Sequence, residues 1–161
     1  MKKLMILCTF LLIITGCNMQ EELSENAKIA SIFLENKGYE IISYERETKY
    51  HFSSTELDNK DFDLKALAVQ SGELEQYLDK EIQFVTFTVK NHPLDVISNE
   101  NQTILTVWLI EKNIVGGTSM PYSSKNDLVG GPYSLDGKTV EEMVGEYNQW
   151  YEEIQSKFNF N

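Results

Sequence analysis

Apolar and polar positions along the chain change period several times, and each change predicts an element. Leu4 to Ile14 is an unbroken apolar run behind Lys2 and Lys3. From Glu25, residues Ile29, Ala30, Phe33 and Leu34 recur at helical spacing. Ser24 offers an N-cap and Gly38 a C-terminal stop, so a helix is predicted between them. A strand follows, with Ile42, Tyr44, Tyr50 and Phe52 on one parity and Ser43, Glu45, Glu47, Lys49 and His51 on the other. That alternation suits a half-buried antiparallel strand bent near Arg46.

Phe62, Leu64, Leu67 and Ala68 fit one or two helical turns that end near Gly72. Glu81 to Lys90, rich in Val, Thr and Phe, returns to strand character, and Asn91-His92-Pro93 breaks it. Thr103 to Ile110 is apolar on both parities, as expected of a central strand covered on both faces. Glu111-Lys112-Asn113 turns the chain into Ile114-Val115, which predicts a hairpin. Thr139-Val140-Glu141-Glu142 has the capping-box form. Behind it Val140, Met143, Val144, Tyr147, Tyr151, Ile154 and Phe158 build one apolar helix face, expected to lie across the sheet. Together these elements predict one α+β domain: an antiparallel sheet of about four strands packed against an N-terminal and a C-terminal helix.

The start of the chain carries its own signal. A charged n-region, a short apolar run and small residues at its end make an export signal. The run of about 11 residues is too short for the ~20 that a spanning helix needs. Ile14-Thr15-Gly16-Cys17 resembles the lipobox of bacterial lipoproteins. That resemblance implies lipid transfer to the Cys17 sulfur, cleavage after Gly16, and anchoring on the extracytoplasmic face of the cell membrane. The expected organisation is therefore a signal peptide over 1–16, a lipid-anchored tether over 17–23 and the domain over 24–161. Further along, Phe33-Leu34, Gly38-Tyr39-Glu40-Ile41, Val89-Lys90-Asn91, Ile114-Val115-Gly116-Gly117 and Tyr133 to Thr139 look like small uncharacterised lipoproteins of Gram-positive bacteria. The resemblance implies a cell-surface domain and supplies no catalytic residue.

Composition sharpens this reading. Lys+Arg 14 against Asp+Glu 25 gives a net charge of −11, which argues against a nucleic-acid partner because phosphate binding needs a basic face. Loss of Lys2 and Lys3 with the signal removes two positive charges and takes the mature balance from −11 to −13. Cys8 would leave with the signal and Cys17 would become a thioether, so the two cysteines of the chain leave no thiol for a disulfide or a nucleophile. An acidic domain is repelled by anionic lipid, so the acyl chains rather than charge must hold it to the membrane.

Candidate chemistries are sparse. Zinc needs three or four closely spaced ligands, and His51 and His92 stand 41 residues apart as expected surface histidines. Asp58-Asn59-Lys60-Asp61-Phe62-Asp63 holds three carboxylates, but Lys60 and Phe62 occupy ligand places of an EF-hand loop. Helix capping and solvation explain the cluster more simply than weak calcium binding. Gly116-Gly117 and Gly130-Gly131 bracket a polar stretch with Tyr122 and Lys125, the first place to look for a partner site. No phosphate-loop or GxSxG pattern accompanies it. Trp108, Tyr147, Trp150 and Tyr151 have the registers of core residues rather than of a stacking platform. No catalytic, cofactor or metal residue is therefore predicted. The expected role is a non-enzymatic, lipid-anchored domain that contacts an envelope protein or small ligand through Gly116, Gly117, Tyr122, Lys125, Gly130 and Gly131. An envelope hydrolase and a weak calcium-binding domain are the alternatives.

Overall fold

The computed structural model describes residues 23–55, 57, 61–125 and 130–158. The signal segment, Cys17 and most of the Asp58–Asp61 acidic stretch lie outside the described residues or their side chains. The fold is α+β. Helix α1 (Glu25–Asn36) leads into strand β1 (Glu40–His51), followed by α2 (Asp61–Ala68), β2 (Glu81–Lys90), β3 (Thr103–Ile110) and β4 (Asn113–Pro121). A two-residue strand β5 (Tyr133–Ser134) and helices α3 (Val140–Val144) and α4 (Tyr147–Phe158) complete it. The strands form one antiparallel meander in the order β1-β2-β3-β4-β5, one strand more than the apolar pattern predicted. β5 is too short to leave an alternation in the sequence.

Local chemistry sets the element ends. Ser24 Oγ accepts the Ala27 N–H at 3.0 Å at the start of α1. At its end Gly38, at φ +89°, lets the Tyr39 N–H reach Leu34 O and the Gly38 N–H reach Glu35 O, a Schellman stop. The β3–β4 turn places Glu111 and Lys112 at φ +49° and +66°, the twist a two-residue hairpin turn requires. Thr139 and Glu142 exchange both capping-box bonds. The predicted single C-terminal helix is broken in two at Gly145, whose φ of +75° and ψ of −126° no helix accommodates.

The sheet separates two cores. One face packs Val85, Phe87, Val89, Leu105, Val107 and Leu109 under Ala27, Ala30 and Leu34 of α1. The opposite face packs Ile82, Trp108 and Phe52 against Leu64, Ala66 and Leu67 of α2. Trp150, Tyr151, Ile154 and Phe158 of α4 join this second cluster from its outer side. β3, between β2 and β4, is apolar on both parities because both its faces are covered.

In β1 the simple alternation fails. Register shifts between Ile41 and Ser43 and between Tyr44 and Arg46 insert two bulges. Tyr44 therefore packs on the α1 face while Tyr50 and Phe52 pack on the α2 face, and Ile42 is left exposed. Each extra residue exchanges the parities that follow it. The bend expected near Arg46 is the second of these bulges.

Candidate functional site

The six residues expected to form a partner loop fall in different local settings. Gly116 and Gly117 lie inside β4, where absence of a side chain permits close approach. A Cβ at Gly117 would fall 2.5 Å from both Thr106 O and Leu135 Cδ1, and one at Gly116 would fall 2.2 Å from Gln70 Oε1. The buried Gln70 amide is the reason for the approach. Its Nε2 donates to Gly117 O at 3.1 Å and to Ala66 O at 2.6 Å, and Gly117 N–H donates to its Oε1 at 2.9 Å. Two residues back, Tyr77 Oη donates to Val115 O at 2.8 Å. Gln70 and Tyr77 thus serve the edge of β4 where β5 gives no partner, which hides an edge that would otherwise invite pairing.

Tyr122 and Lys125 follow β4. The Tyr122 backbone is pinned to Gln102 O and by the Ser98 hydroxyl, at 2.9 Å each. Gly131 instead lines a cavity of about 470 Å³ with Lys65, Tyr133, Thr139 and Tyr147, between α2 and the α3–α4 pair. A second cavity of about 400 Å³, lined by Phe33, Lys37, Gln70, Gly116, Gly117 and Asp136 among others, lies near the end of α1. One of its charge pairs is already made: Lys37 Nζ and Tyr39 Oη both donate to Asp136, at 2.8 and 3.2 Å. These contacts hold the Asp136 carboxyl below its usual range, while burial and that neighbour push Tyr39 up to about 12.

Of the two histidines expected at the surface, one is there and one is not. His51 ends β1 and is exposed. His92 is not a surface residue: only 3% of it is exposed. Its Nδ1 accepts the Leu94 N–H at 3.1 Å and its Nε2 lies 3.0 Å from Leu135 O, so the neutral ring protonated on Nε2 satisfies both partners. Burial holds its pKa below the usual histidine value. The sequence did not reveal this, because the ring caps the 3-10 turn Pro93–Ile97 while its far side meets a carbonyl 43 residues away. Among the described residues, no group of three or more His, Cys, Asp or Glu is placed to hold a metal ion.

The third cavity is of a different kind. It is a slot of about 340 Å³ between α2 and the second face of the sheet, within the ~300–1,000 Å³ typical of small-molecule sites. Its floor is set by the register. Arg46, Thr86, Thr106 and Thr118 pair in one row across β1, β2, β3 and β4. Strands spaced about 4.8 Å apart make this line roughly 14 Å long. Beside it Thr48, Phe84 and Trp108 form the next row, and Phe84 stacks on both Tyr50 and Trp108 at centroid separations of 5.3 and 4.9 Å. Ile104 and Met120 close the other side.

α2 forms the lid of the slot through Phe62, Asp63 and Ala66. Both carboxylate oxygens of Asp63 accept from Tyr50 Oη, at 2.7 and 2.6 Å, which ties α2 to β1. Burial first, and this carboxylate second, raise the Tyr50 pKa above the ordinary tyrosine value. Phe62 remains 59% exposed, the largest apolar side chain that α2 leaves in water. Thr86 and Thr106 hydroxyls meet at 3.1 Å, leaving Thr118 and Arg46 at the ends of the row. Arg46 is the one arginine of the chain. It is exposed, and among the described residues no carboxylate forms a salt bridge with it.

Compared with family models, with curated proteins and with solved structures, the chain matches none. Among the described residues no helix is long and apolar enough to cross a membrane.

Proposed function

We propose that the chain is a non-enzymatic binding domain, held on the extracytoplasmic face of the cell membrane by lipid on Cys17, whose ligand site is the slot under α2. The membrane part of this reading rests on the charged start, the short apolar run and Ile14-Thr15-Gly16-Cys17. The binding part rests on one observation: α2 covers the aromatic second face of the sheet incompletely and leaves the slot open beside an exposed Phe62. A soluble domain gains by burying such surface, so an apolar slot with a few convergent polar groups is the expected form of a ligand site.

The slot takes over the role first assigned to the 116–138 segment, in which Gly116 and Gly117 are occupied in packing against Gln70 and Leu135. Its polar members are threonines, a tyrosine held by Asp63, and an arginine, a set suited to orienting a ligand.

Two measurements test the two halves. Cells fed an alkyne fatty acid should label the wild type and not Cys17→Ser; equal labelling of both refutes the anchor. Nile red, an apolar uncharged dye, should brighten on the purified whole chain and lose that signal in Thr106→Trp, whose side chain fills the slot. Unchanged dye binding by this variant refutes the site.

A further inference from the structure

Building on the slot as the ligand site, we infer that it takes an elongated apolar small molecule bearing one carboxylate, with the carboxylate at Arg46. The shape comes from the floor. The row from Arg46 to Thr118 gives a trough roughly 14 Å long, and the walls on either side are Phe84 and Trp108 against Ile104 and Met120. A volume of about 340 Å³ lies at the low end of the ~300–1,000 Å³ of small-molecule sites. That is a small molecule rather than a protein segment.

The charge comes from Arg46. The chain carries 25 acidic residues against 14 basic ones, which would repel an anion from most of its surface. Arg46 is the basic residue that lines the slot. The second bulge of β1 is what turns it there: Tyr44 pairs with Phe87 on the α1 face, and after the shift Arg46 pairs with Thr86 on the slot face. Its guanidinium keeps its donors uncommitted to any carboxylate among the described residues. Glu45, the adjacent acid, feels the Arg46 charge without pairing with it, since its Oε1 accepts from the hydroxyls of Ser43 and Thr88, at 2.5 and 2.7 Å. A planar guanidinium matches a carboxylate with two parallel hydrogen bonds. The hydroxyls of Thr48 and Thr86 stand beside it in the floor and can donate to the same oxygens. Asp63, the acid that lines the slot, is held by Tyr50, four residues along β1 from Arg46, so the slot presents one cationic group and one apolar body.

The probe is 4-phenylbutyrate, compared with the neutral 4-phenylbutanamide and the cationic 4-phenylbutylamine. All three are titrated into the whole chain carrying Trp150→Phe, so that emission reports Trp108 in the slot wall. The acid should shift the emission saturably and bind about tenfold more tightly than the amide, as loss of one charge-assisted pair implies. Arg46→Gln should bring the acid down to the level of the amide and leave the amide unchanged, whereas Arg46→Lys should retain part of the preference. Because Arg46 is exposed, neither variant is expected to disturb folding.

Equal binding of acid and amide, or an acid preference that survives Arg46→Gln, overturns the carboxylate assignment. So does a slot that binds Nile red, loses it in Thr106→Trp, and yet gives no Trp108 response to 4-phenylbutyrate. If Nile red binding is indifferent to Thr106→Trp, the slot itself is not the site, and both readings fall together.

Discussion

Gln70→Leu is the sharpest structural perturbation the fold offers. Leucine nearly matches glutamine in volume, so the change removes an amide without opening a large cavity. Three hydrogen bonds go with it: those to Ala66 O, to Gly117 O and from Gly117 N–H. Gly117 is buried, so its N–H and C=O would lose their partners without gaining water. A buried backbone group left unpaired costs about 1–3 kcal/mol, and the added apolar contact of leucine offsets part of the loss. A net destabilisation of about 2–4 kcal/mol follows, a large part of the ~5–15 kcal/mol that holds a domain together.

For a chain of this size such a loss lowers Tm by roughly 6–12 °C. Thermal unfolding followed by circular dichroism measures it, with Ser71→Ala at the exposed neighbouring position as the control. Tyr77→Phe removes the next bond along the same edge, to Val115 O, and should cost about 1 kcal/mol. With both changes the uncovered edge of β4 should promote association, read by light scattering. A Tm for Gln70→Leu within about 2 °C of wild type would refute the view that the amide stands in for a missing strand.

Three further outcomes follow from single residues. His92 is buried neutral with a lowered pKa, so the unfolded chain takes its proton first, near pH ~6.5. Its stabilising contribution is complete above that pH and is lost as pH falls; the urea midpoint of the wild type should therefore drop more between pH 7.5 and 5 than that of His92→Gln, and parallel slopes would contradict this. Thr139→Ala removes the hydroxyl that accepts the Glu142 N–H, leaves the backbone bond to Glu142 Oε2, and should cost ~1 kcal/mol by urea denaturation, with no change in Nile red binding. Gly145→Ala forces a side chain into a conformation that favours glycine and should cost about 1–3 kcal/mol, although nothing lies within 4 Å of its Cβ; an unchanged melting temperature would show that the α3–α4 break relaxes freely.

Much of the framework was legible because it is local. Ser24 and Gly38 mark the ends of α1, the apolar run of β3 announces a covered central strand, and Thr139 with Glu142 marks the start of the last helical segment. The β-bulges were harder to read, since one extra residue exchanges the faces of everything after it without altering composition. β5 escaped because two residues carry no period, and the break at Gly145 because the apolar face continues past it into α4. Gln70 carries no local signal, because its partner sits 47 positions away.

The slot was hidden for the same reason. Its members come from β1, α2, β2, β3 and β4, and each alone has an ordinary explanation. Thr86 and Thr106 fall in runs of strand character, Thr118 in the polar stretch after Gly117, and Arg46 at an expected bend. Register alone puts them in one row. Of the glycines that stood out in the sequence, Gly116 and Gly117 instead serve close packing.

That the slot under α2 binds a ligand is tested most directly by hydrogen–deuterium exchange of the whole chain with and without saturating Nile red. Slower exchange should be confined to α2 and to the slot-lining stretches of β1, β2, β3 and β4, around Arg46, Phe84–Thr86, Thr106–Trp108 and Thr118–Met120, and should vanish in Thr106→Trp. Protection that falls instead on the α1 face or around Gly130 and Gly131, or that survives Thr106→Trp, would contradict the assignment.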